Sequence, residues 1–345
     1  MSDTRAVPVD TLLDVPLHQA ADRSRALKDA GFDGVFTFEG PHDVFLPLGP
    51  AAAVGLDIMT NIAVAFPRSP VHLAHAAYDL HTASEGRFRL GLGTQVKAHI
   101  ERRHGAAWSR PVARMAETLR AVRAVLDCWQ TGEPLDFHGD FFDLTLMPPA
   151  LRPAPNPYGV PPLFAGGVGP GMLRMVAETA DGLLVHPFNS PAYLRGTLLP
   201  SVAAGLAAAD RARDGFAVVL DVIVAAARNE EEHVRALAGA RAMVAFYGST
   251  PAYRPVLDAE GYGDLQAELH GLVKAGRWAD LPAAVDDTLL HRLVAVGTPD
   301  EVARVLTARA DLVGADRLGF YLPYRADSGC VSEVLDRLAT RSATR

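Results

Sequence analysis

Three segments of this chain repeat one junction, in which the tail of a helix passes through a small turn containing Gly and Asp into a short apolar strand. These segments are residues 30–37, 180–185 and 314–321. Each strand is only a few residues long and apolar throughout, which is typical of a parallel sheet covered on both faces. Since parallel neighbours need crossover connections, the junction predicts a chain of alternating strands and helices.

Eight short apolar runs are candidate strands of this sheet. They lie near residues 7–13, 34–38, 58–65, 88–93, 162–166, 182–185, 217–225 and 316–321. Eight parallel strands with amphipathic helices between them predict an α/β fold, the TIM (β/α)8 barrel. The length of 345 residues and the hydrophobic content of 49% suit one barrel with a sizeable core. A two-domain doubly wound fold is the structural alternative.

Two segments depart from the repeat and are predicted to be insertions in a single domain that spans residues 1–345. The first, about 133–161, is rich in proline, and the second, about 248–293, has a helical pattern of its own. Aromatic residues at 246–253 and Trp278 suit a lid over a hydrophobic ligand. Ordinary packing within an inserted helical subdomain explains them equally well.

Composition excludes several classes of partner. The net charge of -7, without a long run of one sign, argues against binding to nucleic acid or to an anionic membrane. No apolar signal core or run of eighteen apolar residues occurs, so a cytoplasmic protein is expected. Two distant cysteines fit a reducing compartment. The helical His72, His75 and His81 lack an HExxH pattern; most are expected to face solvent, and no metal site is predicted.

The carboxyl ends of the predicted strands carry most of the candidate site residues, as TIM-barrel enzymes require. The polar groups there are Glu39 and His42, residues 66–69, Thr94, Gln95 and His99, His186 and Asn189, and Tyr321 and Tyr324. In the segment 84–99, Gly91 and Gly93 would let a flat ligand approach the backbone closely. A plain strand with a solvated exit loop is the alternative.

A glycine-rich loop at residues 165–172 follows one strand and precedes a helix. Free backbone amides at a helix start, without side chains in the way, form a site for an anion such as one phosphate. The glycine spacing differs from GxGxxG and no suitably placed acidic residue follows, so a dinucleotide site is not predicted. A turn that serves only the topology is the alternative.

Taken together, these motifs resemble the bacterial luciferase-like flavin enzymes, and within them the coenzyme F420-dependent oxidoreductases. The resemblance covers nearly the whole chain and depends on the order and spacing of seven segments. They are GFDGVFTFE at 31–39, HD at 42–43, FPRSP at 66–70, EGRFRLGLG at 85–93, GGVGPG at 166–171, ADG at 180–182 and VGTPDEV at 296–302. It implies a TIM barrel with insertions, and a homodimer.

The resemblance also implies site residues. In this family a non-prolyl cis peptide lies behind the ring of the cofactor, and the matching positions here are Thr60, Asn61 and Ile62. The remaining cofactor contacts that it implies are Thr94 and Gln95 after the fourth strand, and Gly167, Val168, Gly169 and Met172 around the phosphate. Glu39 and His42 match polar residues beside the reactive face of the ring.

The implied reaction is hydride transfer between the deazaflavin carbon and a small organic substrate, with a nearby group moving the accompanying proton. His42 is the first candidate for that proton, because an unperturbed imidazole has a pKa of about 6.5. His99 is the second candidate, and Glu39 either orients His42 or contacts the cofactor. A hydrogen bond from His42 to Asp43 or to a loop carbonyl is the structural alternative.

The choice of cofactor rests on departures from the family pattern. Val96 stands where the sugar-phosphate dehydrogenases of the group have a carboxylate, which argues against that activity. FMN-dependent monooxygenases tend to hold the phosphate with Arg and hydroxyl side chains, whereas the loop here offers Gly, Val and Pro. Coenzyme F420 is therefore predicted, with an FMN-dependent luciferase-like monooxygenase as the alternative. A non-catalytic flavin-binding barrel and a metal-dependent TIM-barrel hydrolase are alternatives from other classes.

Overall fold

Eight parallel strands close into a barrel in the computed structural model, which describes residues 7–324 and 328–342. The strands are β1 (Val9–Leu12), β2 (Gly34–Thr37), β3 (Asp57–Thr60), β4 (Phe88–Gly93), β5 (Leu163–Gly167), β6 (Gly182–Val185), β7 (Ala217–Ala226) and β8 (Arg317–Tyr321). Each strand pairs with its neighbours in chain order, and β8 pairs with β1 to close the sheet. The predicted TIM barrel and its eight strands are confirmed, and the doubly wound alternative is wrong.

Helices cover the outside of the barrel. Their bounds are α1 (Ala20–Asp29), α2 (Leu48–Ala53), α3 (Pro70–Ala83), α4 (Lys97–Arg102), α5 (Pro111–Thr131), α6 (Pro170–Thr179), α7 (Leu199–Ala208), α8 (Glu230–Gly248), α9 (Arg254–Ala259), α10 (Gly263–Lys274), α11 (Asp287–Leu293), α12 (Pro299–Val313) and α13 (Ser328–Ser342). Because the helices cover the outer face and side chains fill the interior, β2 and β6 are buried at every position. In α3, His72 and His75 are exposed as expected, but His81 is buried.

The last of the repeated junctions shows how local sequence sets the element bounds. At the start of α12, the Thr298 hydroxyl accepts from the Glu301 N–H, while the Glu301 carboxylate accepts from the Thr298 N–H. This capping box satisfies two backbone donors that a helix start leaves free. The helix ends at Gly314, whose φ of 59° suits a residue without a side chain. The chain then enters β8 directly.

Strand β7 carries the second predicted insertion above the barrel. Residues 217–220 pair with β6 and residues 219–223 pair with β8. The last three residues extend beyond the barrel and pair with a short outer strand, Ala295–Gly297. Helices α8 to α11 lie between these two strands in the chain, so they start and end above the carboxyl-terminal rim. Within the described residues, no helix combines the length and apolar character needed to cross a bilayer.

The first predicted insertion contains a short antiparallel hairpin, Phe137–His138 with Asp143–Leu144. Its turn is held by Glu117 of α5, whose carboxylate accepts from the N–H groups of Asp140, Phe141 and Phe142 at 2.9, 2.6 and 2.8 Å. The division of the chain into one domain with two insertions stays a prediction.

The amino-terminal half of the barrel interior is closed by buried charges. Arg317 donates to both carboxylate oxygens of Asp10 at 2.8 and 2.5 Å, and to Asp57 Oδ2 at 2.7 Å. Since β8 and β3 are not neighbours, the bond to Asp57 crosses the interior. Burial acts to lower the pKa of Arg317, but the carboxylates of Asp10 and Asp57 raise it above its usual value. This end of the barrel is therefore a structural plug.

Candidate active site

A hydrogen bond between two buried side chains crosses the carboxyl-terminal half of the interior. Asn61, just after β3, donates from Nδ2 to Asp221 Oδ2 of β7 at 2.7 Å. The Tyr321 hydroxyl donates to the Asn61 carbonyl at 3.4 Å. In the part of the chain that the structure describes, Asp221 Oδ1 has no hydrogen-bond partner. Burial raises the pKa of Asp221 well above its usual range, although the bond from Asn61 opposes the shift. Burial therefore favours the protonated, uncharged form of Asp221.

The raised pKa of Asp221 makes the stability of the fold depend on pH. Above about pH 4, the folded state keeps a proton that the unfolded state has released, so the free energy of unfolding falls as pH rises. Asp221→Asn removes this proton and keeps the side-chain shape. Between pH 5 and pH 8, the free energy of unfolding of the variant, measured by urea titration, should rise relative to that of the wild type by at least about 1 kcal/mol. Asp14→Asn, at an exposed carboxylate, is the matched control; a constant difference between wild type and Asp221→Asn would contradict the prediction.

The segment after β3 brings the predicted cofactor contacts together. The peptide bond between Asn61 and Ile62 is cis, as the family resemblance implies. The side chain of Ile62 packs beside Gly93 and Gly166, since a Cβ built on those glycines would lie 2.8 and 3.5 Å from its carbons. Thr60 is fully buried, and its hydroxyl donates to the Gly91 carbonyl at 2.8 Å. Thr60 therefore holds the segment from behind, and Ile62 joins the ends of β4 and β5.

Thr94 and Gln95 leave β4 half-buried at the barrel rim. The Thr94 hydroxyl donates to the Gln95 carbonyl at 2.9 Å. Gln95 has a φ of 59°, which is uncommon for a residue with a side chain and is enriched at functional sites. Its Oε1 accepts from the Val96 N–H at 3.0 Å, and among the described residues Nε2 has no hydrogen-bond partner, so its donors are available to a ligand.

The glycine loop after β5 leads into α6 with open space around it. A Cβ built on Gly169 or Gly171 would meet nothing within 4 Å, whereas one on Gly167 would lie 2.7 Å from Met172 Cγ. The Tyr193 hydroxyl donates to the Val168 carbonyl at 2.7 Å and fixes the loop from below. Val168 itself is buried. Gly169 and Gly171 thus leave room for an anion at the start of a ten-residue helix.

Glu39 does not orient His42. The Glu39 carboxylate accepts two hydrogen bonds from Arg68, at 2.8 and 3.0 Å, and one from the Val64 N–H at 3.0 Å. It therefore ties the loop after β2 to the segment after β3. His42 is exposed and, within the described residues, has no hydrogen-bond partner. Among the described residues neither Asp43 nor a loop carbonyl is hydrogen-bonded to His42, and Asp43 Oδ1 instead accepts from the N–H groups of Phe45 and Leu46.

His99 lies exposed on α4, and among the described residues no hydrogen bond joins it to His42 or Glu39. The structure thus gathers the predicted cofactor contacts after β3, β4 and β5, but among the described residues no hydrogen bond joins the three predicted catalytic side chains to one another. In residues 7–324 and 328–342, no three His, Cys, Asp or Glu side chains are grouped as metal ligands.

Three aromatic rings lie in contact at the carboxyl end of β6, a grouping that was not predicted from the sequence. The ring of His186 lies 4.7 Å from that of Tyr247 and 4.3 Å from that of Tyr253, and the two tyrosine rings are 6.0 Å apart. We call these three residues the aromatic cluster. His186 follows β6, while the tyrosines come from the end of α8 and the turn after it. Phe246 and Trp278, the other aromatic residues expected in a lid, are exposed.

Every member of the aromatic cluster is uncharged at neutral pH. The Phe188 N–H donates to His186 Nδ1 at 3.1 Å, so the proton of the neutral imidazole is on Nε2. Burial lowers the pKa of His186 to about 3 and raises that of Tyr253 to about 12. Burial also raises the pKa of Tyr247, with smaller effects of Tyr253 and Asp221. The cluster therefore offers neutral donors at this side of the barrel mouth.

The closed barrel and the polar and aromatic residues at its carboxyl-terminal mouth define an α/β-barrel enzyme. Comparisons with known proteins give its family. Residues 2–316 match the family model of the luciferase-like monooxygenases. An uncharacterized protein of Mycobacterium tuberculosis is 41% identical over 337 residues, which cover 97% of this chain and 98% of that protein. The chain belongs to the luciferase-like monooxygenase family, as the motifs predict, and it is an oxidoreductase of that family.

Two further relatives bear names that refer to a reaction. The 5,10-methylenetetrahydromethanopterin reductase of Archaeoglobus fulgidus is 28% identical over 239 residues, which cover 68% of this chain and 67% of the relative. The solved structure of the coenzyme F420-dependent tetrahydromethanopterin reductase from Methanopyrus kandleri superposes with a TM-score of 0.81 at 19% identity, covering 98% of this chain and 99% of that one. At this identity the superposition shows the shared fold.

Proposed function

We propose that this protein is a coenzyme F420-dependent oxidoreductase that transfers a hydride between the deazaflavin and a small organic substrate. The observation that carries the proposal is the glycine loop, where Gly169 and Gly171 leave open space beside the backbone at the start of α6. A phosphate fits there without a cationic side chain, because helix amides and the helix dipole favour an anion. The name of the Methanopyrus kandleri reductase, which refers to coenzyme F420, supports the same cofactor.

In this proposal, different residues of the barrel mouth contact different parts of the cofactor. Ile62 would back the ring, the Gln95 side-chain amide would donate at its edge, and the backbone N–H groups of Gly169 and Gly171 would hold the phosphate. When bound, F420 gives or takes a hydride at its deazaflavin carbon. Glu39 contributes indirectly, since its bonds to Arg68 and to the Val64 N–H fix the segment that carries Ile62.

His42 is the residue that we propose to move the accompanying proton, with His99 as the second candidate. Since His42 has no hydrogen-bond partner among the described residues, its exposed imidazole is available to a substrate. The small-molecule substrate, the homodimer and the cytoplasmic location stay predictions of the sequence, as do the absence of nucleic-acid and membrane partners.

A side-by-side titration with F420 and FMN tests the proposal. We expect F420 to bind at least about tenfold more tightly than FMN, a difference of about 1.4 kcal/mol, as measured by quenching of cofactor fluorescence. Riboflavin, which lacks the phosphate of FMN, shows how much of either affinity depends on the phosphate site. Tighter binding of FMN than of F420 would move the function to an FMN-dependent monooxygenase.

A further inference from the structure

We propose that the aromatic cluster is the substrate site and that it selects an uncharged, flat organic compound carrying a carbonyl oxygen. The proposal builds on the proposed function, because it assigns a substrate class to the same barrel mouth. The cluster lies on the side of β6 and β7, whereas the predicted cofactor contacts follow β3, β4 and β5. A substrate held at the cluster would thus face a cofactor held by the other strands.

Geometry gives the cluster both an apolar face and hydrogen-bond donors. The rings of His186, Tyr247 and Tyr253 are half-buried, and Phe188 packs behind the two tyrosines with centroids 6.2 and 6.3 Å away. In the described chain, His186 Nε2 and both tyrosine hydroxyls have no hydrogen-bond partner, and none is among the buried polar atoms left unpaired. These three atoms therefore remain open to a ligand. Rings of this kind bind flat apolar groups, and open donors bind an oxygen.

The electrostatic surroundings of the cluster disfavour a charged substrate group. The influences on the three rings are burial, the rings themselves and the side chain of Asp221. Burial favours the uncharged form of Asp221, and among the described residues no other charged side chain shifts the pKa of the three rings. A carboxylate, phosphate or ammonium group that entered here would lose its hydration without an ion pair, which costs several kcal/mol. A carbonyl oxygen loses far less, since the open donors replace its water.

The cluster also has a purely structural interpretation, in which its rings only hold the second insertion against the barrel. The two interpretations differ in what they predict for ligands. Packing alone predicts that changes at the cluster alter stability and leave the binding of small molecules unchanged. A substrate site predicts a loss of binding that depends on the charge and on the oxygen of the ligand.

Three benzene derivatives of similar size test the assignment on the full-length protein loaded with F420. Acetophenone is neutral and carries a carbonyl oxygen, whereas at pH 7.5 benzoate is an anion and benzylamine is a cation. We expect acetophenone to bind at least about tenfold more tightly than the two ions, as measured by saturation-transfer NMR titrations. Equal or tighter binding of benzoate or benzylamine would overturn the proposal.

Variants of the aromatic cluster test whether acetophenone binds there. Tyr253→Ala removes one ring and His186→Phe keeps a ring without the Nε2 donor; each should weaken acetophenone binding at least about fivefold. Tyr158→Ala, at an exposed tyrosine, is the matched control and should change it less than about twofold. Unchanged acetophenone affinity in both cluster variants would overturn the assignment. The affinity for F420, measured separately, should be the same in all variants. If the wild type does not bind F420, the proposed function is contradicted. The same titrations with acetophenone, benzoate and benzylamine in the absence of F420 would then still test the cluster.

Discussion

Replacing Arg317 with methionine is expected to lower the free energy of unfolding by about 3 to 5 kcal/mol. The guanidinium is nearly inaccessible, with 8% of the side chain exposed, and it pairs with Asp10 and Asp57 inside the barrel. Methionine has a similar length and is uncharged. The change therefore leaves the Asp10 carboxylate, which is 3% exposed, without its partner in a region that water does not reach.

Urea unfolding of the wild type and two further variants checks this expectation. Arg235→Met breaks an exposed ion pair with Glu231 on α8 and should cost less than about 0.5 kcal/mol. The double change Arg317→Met with Asp10→Asn removes the stranded charge and should recover at least about 1 kcal/mol of the loss. A cost for Arg317→Met no larger than that for Arg235→Met would show that the charges do not plug the barrel.

The sequence predicted the barrel well because each strand depends mainly on its own residues. A short apolar run after a Gly- and Asp-containing turn predicts a buried parallel strand wherever it occurs, and residues 182–185 and 88–93 were predicted with their observed bounds. The plug was not predicted. Arg317, Asp10 and Asp57 lie far apart in the chain, and pattern alone does not show which strand faces which across a closed barrel.

In the candidate site too, features with a local sequence pattern were predicted, whereas contacts between residues distant in the chain were not. The segments around Gln95 and Gly169 were identified because each has a local motif at the end of a strand, and the segment around Ile62 was identified from the family resemblance. Glu39 was expected either to orient His42 or to contact the cofactor, yet its carboxylate pairs with Arg68. The bond between Asn61 and Asp221 joins residues 160 positions apart. Contacts over such separations come from the three-dimensional closure of the barrel, which one sequence without homologues does not reveal.

An aspartate at position 169 is expected to weaken F420 binding by about tenfold to a hundredfold. Gly169 is the residue before α6, in an extended conformation with open space at its Cβ position. Asp and Asn are both favoured at this position of a helix, so neither should disturb the fold. The carboxylate of Asp, however, would compete for the helix amides and repel a phosphate. At a separation of about 6 Å this repulsion is about 3 kcal/mol before screening by salt.

Gly169→Asn separates charge from size, since its side chain has the shape of Asp without the charge. We expect the Asn variant to bind F420 within about threefold of the wild type and both variants to unfold at the wild-type temperature, as measured by fluorescence titration and thermal unfolding. The phosphate-free deazariboflavin fragment of the cofactor should bind equally to all three proteins, because it has no group to repel. Equal F420 affinities for the Asp and Asn variants would place the phosphate elsewhere. If only the Asp variant loses affinity, and only for the ligand that carries the phosphate, the phosphate binds at the start of α6.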